Sequence, residues 1–393
     1  MSGVDRVVAA LIDQTVAEVR VSPRSGATWG KLGMVLQNYD FKAEARYAFS
    51  QAEQFDPRQP RWPYFQGAML AALDSQQAIA QLQRAVELCG DQADVPRLRL
   101  AQLLAEQGEL DEAERQFKAL LRARPDHALA LLGLARVSHG RGQSEESTAY
   151  LRRCLTDRHT ARSAYTLLAA TQQRLGNVVA AQTATRIAAT LPPDETWPDP
   201  YAREASRYYV GRQALRDQAE QLLKEGRREE AQPLISRLVN EYPDTAEGWL
   251  LLGRLGVEQK ECVAAERALR QGLVIDPTAV NGYAQLGVAL LCQERYAEAA
   301  AVLGTAVHYK PDFGEAHFNL GFALARQGQG RAAIDSFREA IRCSPGFVDS
   351  YITLADLLNQ AGQKEEAIGW LRRAQELNPD DDRARFLLER MQR

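Results

Sequence analysis

Histidines, cysteines and paired carboxylates are the side chains with which a protein most often does chemistry, and here they are scattered. The five histidines (His127, His139, His159, His308 and His317) lie in different parts of the chain, and none belongs to an H-E-x-x-H pair that would hold zinc. His317 stands at a position that aromatic residues fill elsewhere, so it reads as packing. The five cysteines (Cys89, Cys154, Cys262, Cys292 and Cys343) show no C-x-x-C spacing and are odd in number. That is the pattern of buried free thiols in a reducing compartment, and a cytoplasmic location is expected. Glu145-Glu146 and Glu365-Glu366 open helical segments, where acidic side chains suit the positive end of the helix dipole rather than acid–base work. Phosphate-cradling glycine loops and the G-x-S-x-G elbow are absent. No catalytic residue, cofactor or metal is therefore expected, and the chain is read as no enzyme. One grouping points to recognition instead: Phe318 and Phe322 lie one helical turn apart among polar residues, as at an interaction surface.

Composition narrows the partners. The 393 residues are 45% hydrophobic and 25% charged with a formal net charge of −3, so the chain can bury a large core and lacks the basic bias of a nucleic-acid binder. No apolar run approaches the roughly 18 residues of a membrane helix. The opening MSGVDRVVAALIDQTVAEVR is cut by Asp5 and Asp13 and makes a poor secretory signal.

The elements that must carry any binding residues are announced by a period. Pro243, Pro277, Pro311, Pro345 and Pro379 are each 34 residues from the next, as are Ala231, Ala265, Ala299, Ala333 and Ala367. Between them recur Trp249, Tyr283, His317 and Tyr351, each followed three residues later by Leu252, Leu286, Leu320 or Leu354 and then by Gly253, Gly287, Gly321 or Ala355. Proline stops a helix because it cannot donate to the helical ladder. Gly108, Gly142, Gly176, Gly226, Gly328 and Gly362 suit the left-handed turn that ends each unit's first helix. Asp244 with Glu247, and Asp312 with Glu315, read as capping boxes. The small residues mark close approach of helix axes, where enlargement costs about 1–3 kcal/mol.

This punctuation resembles the tetratricopeptide repeat, a helix–turn–helix unit of 34 residues, over about ten units and nearly the whole chain. The resemblance implies an all-α fold: an α-solenoid, a right-handed superhelix of roughly twenty-one to twenty-three stacked helices with no sheet. Residues 1–25 read as an N-terminal capping helix and 26–195 as units 1–5, the second of them fitting only with a shortened turn after Leu73. Residues 196–211 break the frame, either as a hinge or as an inserted helix docked on Tyr201, Tyr208 and Tyr209; Asp199 before Pro200 is a helix-start signal. Units 6–10 fill 212–381, and 382–393 form a C-terminal capping helix with Ala384, Leu387, Leu388 and Met391 on its apolar face.

In tetratricopeptide stacks the first helices line a concave surface that takes peptides or helices of other proteins. By position, the resemblance places Glu247, Arg254, Asn281, Gln285, Val288, Glu315, Phe318, Asn319, Phe322, Arg326, Asp349, Ile352 and Asp356 there. Val288, Phe318, Phe322 and Ile352 would supply apolar contact, and Glu315, Asp349 and Asp356 would orient a basic or amphipathic ligand. A subset of the family clamps the C-terminal carboxylate of chaperones with a Lys, two Asn, a Lys and an Arg. The matching slots here hold Arg216, Glu220, Leu251, Asn281 and Gln285, so that role is not expected. The expected function is a non-catalytic scaffold for a partner protein. Two alternatives stand beside it: an accessory substrate-binding subunit of a separate enzyme, and a helical-repeat RNA binder, which the charge disfavours.

Overall fold

The computed structural model describes residues 4–392, and among them are twenty-three α-helices, one 3-10 turn at Gly90–Gln92 and no strand. The expected terminal helices extend in part over residues 1–3 and 393, which lie outside the described residues. The chain forms two compact units, divided in sequence between Val210 and Gly211. The first contains α1 (Arg6–Val21), α2 (Gly26–Asn38), α3 (Lys42–Phe55), α4 (Arg61–Leu70), α5 (Ser75–Cys89), α6 (Asp94–Glu106), α7 (Leu110–Ala123), α8 (Ala128–Gly140), α9 (Ser144–Arg152), α10 (Ala161–Arg174), α11 (Val178–Thr190) and α12 (Pro200–Ser206). The second contains α13 (Gly211–Lys224), α14 (Arg228–Glu241), α15 (Ala246–Glu258), α16 (Cys262–Ile275), α17 (Val280–Cys292), α18 (Tyr296–Tyr309), α19 (Gly314–Arg326), α20 (Gly330–Cys343), α21 (Val348–Gln360), α22 (Lys364–Leu377) and α23 (Asp382–Gln392). Within each unit the repeat helices pack in consecutive pairs, and each pair packs on the next, which is the α-solenoid arrangement.

The 34-residue ladder of prolines and aromatics is a hydrogen-bonded latch. Trp29 Nε1 donates to the Pro23 carbonyl at 2.9 Å, and Trp249 Nε1 to the Pro243 carbonyl at 2.9 Å. The Tyr283 and Tyr351 hydroxyls do the same to Pro277 and Pro345, at 3.1 and 2.8 Å. His317 Nε2 reaches the Pro311 carbonyl at 3.0 Å. The slot therefore accepts Trp, Tyr or His for one reason: each is a flat ring with a polar hydrogen at its far end. His317 is there as a donor, which its reading as mere packing had missed. The latch fastens α2, α15, α17, α19 and α21 to the turns that precede them.

In the pairs α2–α3, α4–α5, α15–α16, α17–α18 and α19–α20 a glycine lets the two helices meet. A Cβ on Gly33 would lie under 3.0 Å from the Phe49 ring, and on Gly253, Gly287 and Gly321 equally close to Leu269, Leu303 and Phe337. These partners stand sixteen residues on in each case. In the second repeat the pair is Gly67 and Leu82, one residue closer, which is the shortened turn after Leu73.

Two expectations fail. The capping boxes do not form: α15 and α19 begin one residue later than the Asp-based reading requires, so Thr245 and Phe313 occupy the cap and neither offers a side-chain bond. The cysteines are not all free either. Cys262 at the start of α16 and Cys292 at the end of α17 are disulfide-bonded, with Cα atoms 6.1 Å apart, while Cys89, Cys154 and Cys343 are free and only Cys154 is buried. The expected reducing compartment rested on unpaired thiols, and this pairing removes that basis. Among the described residues no helix is long and apolar enough to cross a membrane.

The turn between the helices of a pair takes a left-handed residue, glycine at Gly328 (φ 75°) but Lys260 (φ 63°) and Glu294 (φ 58°) in the two preceding repeats. A side chain there is strained by about 1–2 kcal/mol. Glu294→Gly should therefore raise the denaturation midpoint of the second unit, and Gly328→Glu, the same side chain one repeat later, should lower it by about 1 kcal/mol or more. Urea unfolding followed by circular dichroism measures both.

Candidate functional site

In the second unit one side of α13, α15, α17 and α19 encloses a cavity of about 610 Å³. Its lining includes Arg216, Glu220, Glu247, Leu250, Arg254, Glu258, Asn281, Gln285, Phe313 and Glu315. Five of the expected residues thus come together: Glu247, Arg254, Asn281, Gln285 and Glu315. The others do not join them. Val288 and Asn319 are half-buried away from the cavity, and Phe322 is exposed at 38%. Phe318 turns inward, its ring 5.0 Å from that of Phe347 and 5.6 Å from Phe337, and packs against the core. Ile352 is 8% exposed and belongs to that core, so it offers a partner no apolar surface. The Arg326 guanidinium lies over the Tyr296 ring at 4.9 Å. Asp349 and Asp356 are paired with Arg383 (2.6 Å) and Arg390 (3.7 Å) of α23, so they are partly neutralised by the flanking helix.

The cavity is acidic. Four carboxylates face two guanidinium groups. Glu258 is held by Arg228 and Arg254 at 2.8 and 3.1 Å, and Glu247 is 3.7 Å from Arg212. Glu220, Asn281, Gln285 and Glu315 make no side-chain hydrogen bond or ion pair among the described residues. Polar groups left unmatched beside Leu250 and Phe313 are what a recognition surface needs. Arg216, Glu220, Leu250, Glu258 and Phe313 were not expected in the site. Arg216 and Glu220 were weighed only against a carboxylate clamp, and their failure there left their place on the inner side of α13 unread.

The first unit presents the same side of its first helices, but here the chain covers part of it, leaving a cavity of about 330 Å³ between α6 and α8 uncovered. After α11, residues 191–199 run without regular structure, and then come α12 and a turn back to Val210. Asp199 caps α12 by accepting from the Tyr201 and Ala202 amides, at 2.9 and 3.1 Å, with Pro200 at the first helical position. Asp199 also accepts from the Tyr64 hydroxyl of α4, and Glu204 pairs with Arg61 at 2.6 Å. Trp197 stacks on His127 with centroids 4.6 Å apart, and Tyr201 on Tyr64 at 4.5 Å. Asn38 donates to the Ala205 carbonyl at 2.8 Å, and the Tyr39 hydroxyl accepts from the Val210 amide at 2.6 Å. Burial and the Asp199 carboxylate push the Tyr64 phenol well above its ordinary range.

His127 caps α8 under the Trp197 ring, its Nδ1 accepting from the Ala130 amide at 3.3 Å while Nε2 faces Asp94 at 2.9 Å. Burial pushes this imidazole down from 6.5 to about 4, and the Arg124 guanidinium acts in the same direction. One cluster among the described residues has metal-ligand donor types: His317, Glu339 and Cys343, with donor atoms within 4.8 Å of one another. Each already has a protein partner. His317 and Cys343 both meet the Pro311 carbonyl, at 3.0 and 3.7 Å, and Glu339 pairs with Arg342 at 2.8 Å.

A tetratricopeptide repeat family model matches residues 98–164, 216–280 and 285–346, and a second of the same description matches 324–391. Cellulose synthase 1 operon protein C of Komagataeibacter xylinus is 29% identical over 147 residues, 34% of this chain and 11% of that relative. The chain thus spans about a tenth of the length of the curated relative it matches. Among solved structures it is similar to MamA (22% identity, TM-score 0.38, 41% of this chain and 94% of that one). It is also similar to a thermophilic TPR protein of Thermus thermophilus (22%, TM-score 0.39, 46% and 98%). A chain of the APC/C hetero-tetramer Cut9–Hcn1 aligns over 97% of this chain and 92% of its own, at 13% identity and a TM-score of 0.45.

The different settings of the two phenylalanines separate their substitutions. Phe318→Ala should cost about 2–3 kcal/mol in urea unfolding of the second unit, and Phe322→Ala should stay within about 0.5 kcal/mol. His127 generates a pH dependence. Its folded value lies below the unfolded 6.5, so the stability that the neutral ring contributes is full above pH 6.5 and is lost as the pH falls towards about 4. The urea midpoint of the first unit should fall over that window, and less so in His127→Asn, whose amide can cap α8 without titrating.

Proposed function

This chain belongs to the tetratricopeptide repeat family, whose members bind other proteins, and from that premise we propose that it is a non-catalytic scaffold holding a peptide or helix of a partner in the cavity of its second unit. One observation carries the reading: four first helices converge on a single cavity whose Glu220, Asn281, Gln285 and Glu315 make no side-chain hydrogen bond or ion pair among the described residues. Burying such groups on association is favourable only if the ligand supplies their hydrogen bonds, which is how a scaffold selects. The excess of carboxylates favours a basic or amphipathic segment. Leu250 and Phe313 give it an apolar floor. Affinity is assigned to this cavity and not to Phe318 and Ile352, which are occupied with packing.

A second reading draws on the name of the Komagataeibacter xylinus relative: an accessory subunit beside a separate enzyme of polysaccharide synthesis. The two readings differ in what enters the cavity. A protein segment serves the first, and a glycan chain the second.

Site-specific photocrosslinking in the native source distinguishes them. A benzoylphenylalanine in place of Gln285 should crosslink a discrete protein band, and one in place of exposed Arg331 on α20 should not. Adding Glu220→Lys and Glu315→Lys should reduce the band at least fivefold without changing helicity. Equal crosslinking from both positions, or indifference to the charge reversal, would remove the cavity from the account. Retention of the pure chain on a polysaccharide column would favour the second reading.

A further inference from the structure

Residues 195–210 of the first unit lie where a ligand would lie. In the second unit the sixth residues of α13, α15 and α17, which are Arg216, Leu251 and Gln285, face the cavity. In the first unit the sixth residues of α2 and α6 are Lys31 and Arg99, and both face this segment: Lys31 reaches the Tyr208 ring at 6.0 Å, and Arg99 approaches Asp199 at 4.0 Å. The segment lies outside the repeat frame. The helix pairs of the first unit also stack on one another directly.

The chemistry of its seating is selective. All three of its acids meet an arginine of the body: Glu195 with Arg158 at 3.3 Å, Asp199 with Arg99, and Glu204 with Arg61. Its aromatics stack, Trp197 on His127 and beside the Arg124 guanidinium, Tyr201 on Tyr64. Its own bases, Arg203 and Arg207, point to solvent. Ala205 is buried, Trp197, Tyr201 and Tyr208 are half-buried, and the Asp199 side chain is 11% exposed. Ala205 joins the core of the first unit and Trp197, Tyr201 and Tyr208 pack against it, so the segment is seated as a bound peptide is, by an apolar anchor with ring stacking and charge-assisted bonds around it.

We propose that the first-helix face of the first unit is a second partner-binding surface, that residues 195–210 close it as an internal ligand, and that its partner is an acidic, aromatic-bearing protein segment of the same chemistry. Of the basic groups beneath, Lys31 and Arg124 are paired with Glu18 and Asp94, and Arg61 and Arg99 meet the segment's acids, which makes the preference of this face opposite in sign to that of the acidic cavity. The tethered segment competes at a local concentration on the order of millimolar, so a partner in trans binds only to the open fraction.

The test uses the full chain and a fluorescein-labelled synthetic peptide of residues 194–210, read by anisotropy. The double variant Trp197→Ala, Tyr201→Ala weakens the internal ligand and should bind the peptide at least tenfold more tightly than the unaltered chain does. Adding Arg61→Glu should cancel that gain. If the double variant keeps its helicity and melting temperature but binds no better, the segment is a structural seal and the proposal falls. If the double variant loses helicity, hydrogen exchange of the unaltered chain decides. Amides of residues 201–209 exchanging at least a hundredfold faster than those of α4 and α6 support the internal ligand, and equal protection overturns it. A concentration-dependent dimer in sedimentation, with no peptide binding, would assign the surface to a second copy of this chain and overturn the partner.

Discussion

Five of the helix pairs depend on an absence: the missing Cβ where their two helices cross. At Gly253, Gly287 and Gly321 the first helix comes so near the second that Leu269, Leu303 or Phe337 fills the space a methyl group would need. That spacing sets how deeply the large side chain inserts, and through it the tilt with which the next pair is received. Close-packed interiors transmit such displacements instead of absorbing them. The ring-to-carbonyl latch then fixes the start of α15, α17, α19 and α21. Clearance and latch together keep the inner sides of successive first helices in line, and without that alignment residues from four helices would not reach one cavity.

Charges divide along the same lines. On the second helices they engage one another across repeats: Arg270 of α16 with Glu298 of α18, and Arg338 of α20 with Glu366 of α22. Each exposed pair contributes little, about 0–1 kcal/mol. Glu266 is the exception in setting. Burial opposes its ionisation, but Gln293, Arg270 and Arg295 outweigh that and hold its carboxyl below the usual carboxylate range. The inner sides of the first helices are different. In the second unit several of their polar groups have no internal partner, and in the first the partner is supplied by a stretch of chain from far away.

What could be read from the residues was whatever recurs. The period located the helix pairs, the left-handed turns and the glycine crossings, because each is made within one unit and repeats with it. What could not be read is made between parts of the chain with no fixed spacing. Asp199 meets Tyr64 and Val210 meets Tyr39 at separations of 135 and 171 residues, and no periodicity announces either. Phe318 and Ile352 were misplaced for a related reason. Their positions are inner ones in the average repeat, but Phe347 packs on the first and the core beside α23 takes in the second. The capping boxes failed by a single residue in register. The cysteine pair joins helix ends of adjacent repeats thirty residues apart, a distance that no cysteine motif marks.

The covering of the first unit by residues 195–210 has a consequence for biosynthesis. The latches and glycine crossings close between neighbours, so they can form as the nascent chain leaves the ribosome. The cover cannot. Tyr64 emerges 135 residues ahead of Asp199, a delay on the order of ten seconds at about 5–20 residues per second. Throughout that interval the basic, aromatic face of the first repeats stands open on a tethered, half-made protein. Any acidic chaperone or partner present during translation meets this face before the chain's own segment does, so the order of synthesis gives the outside ligand its first opportunity.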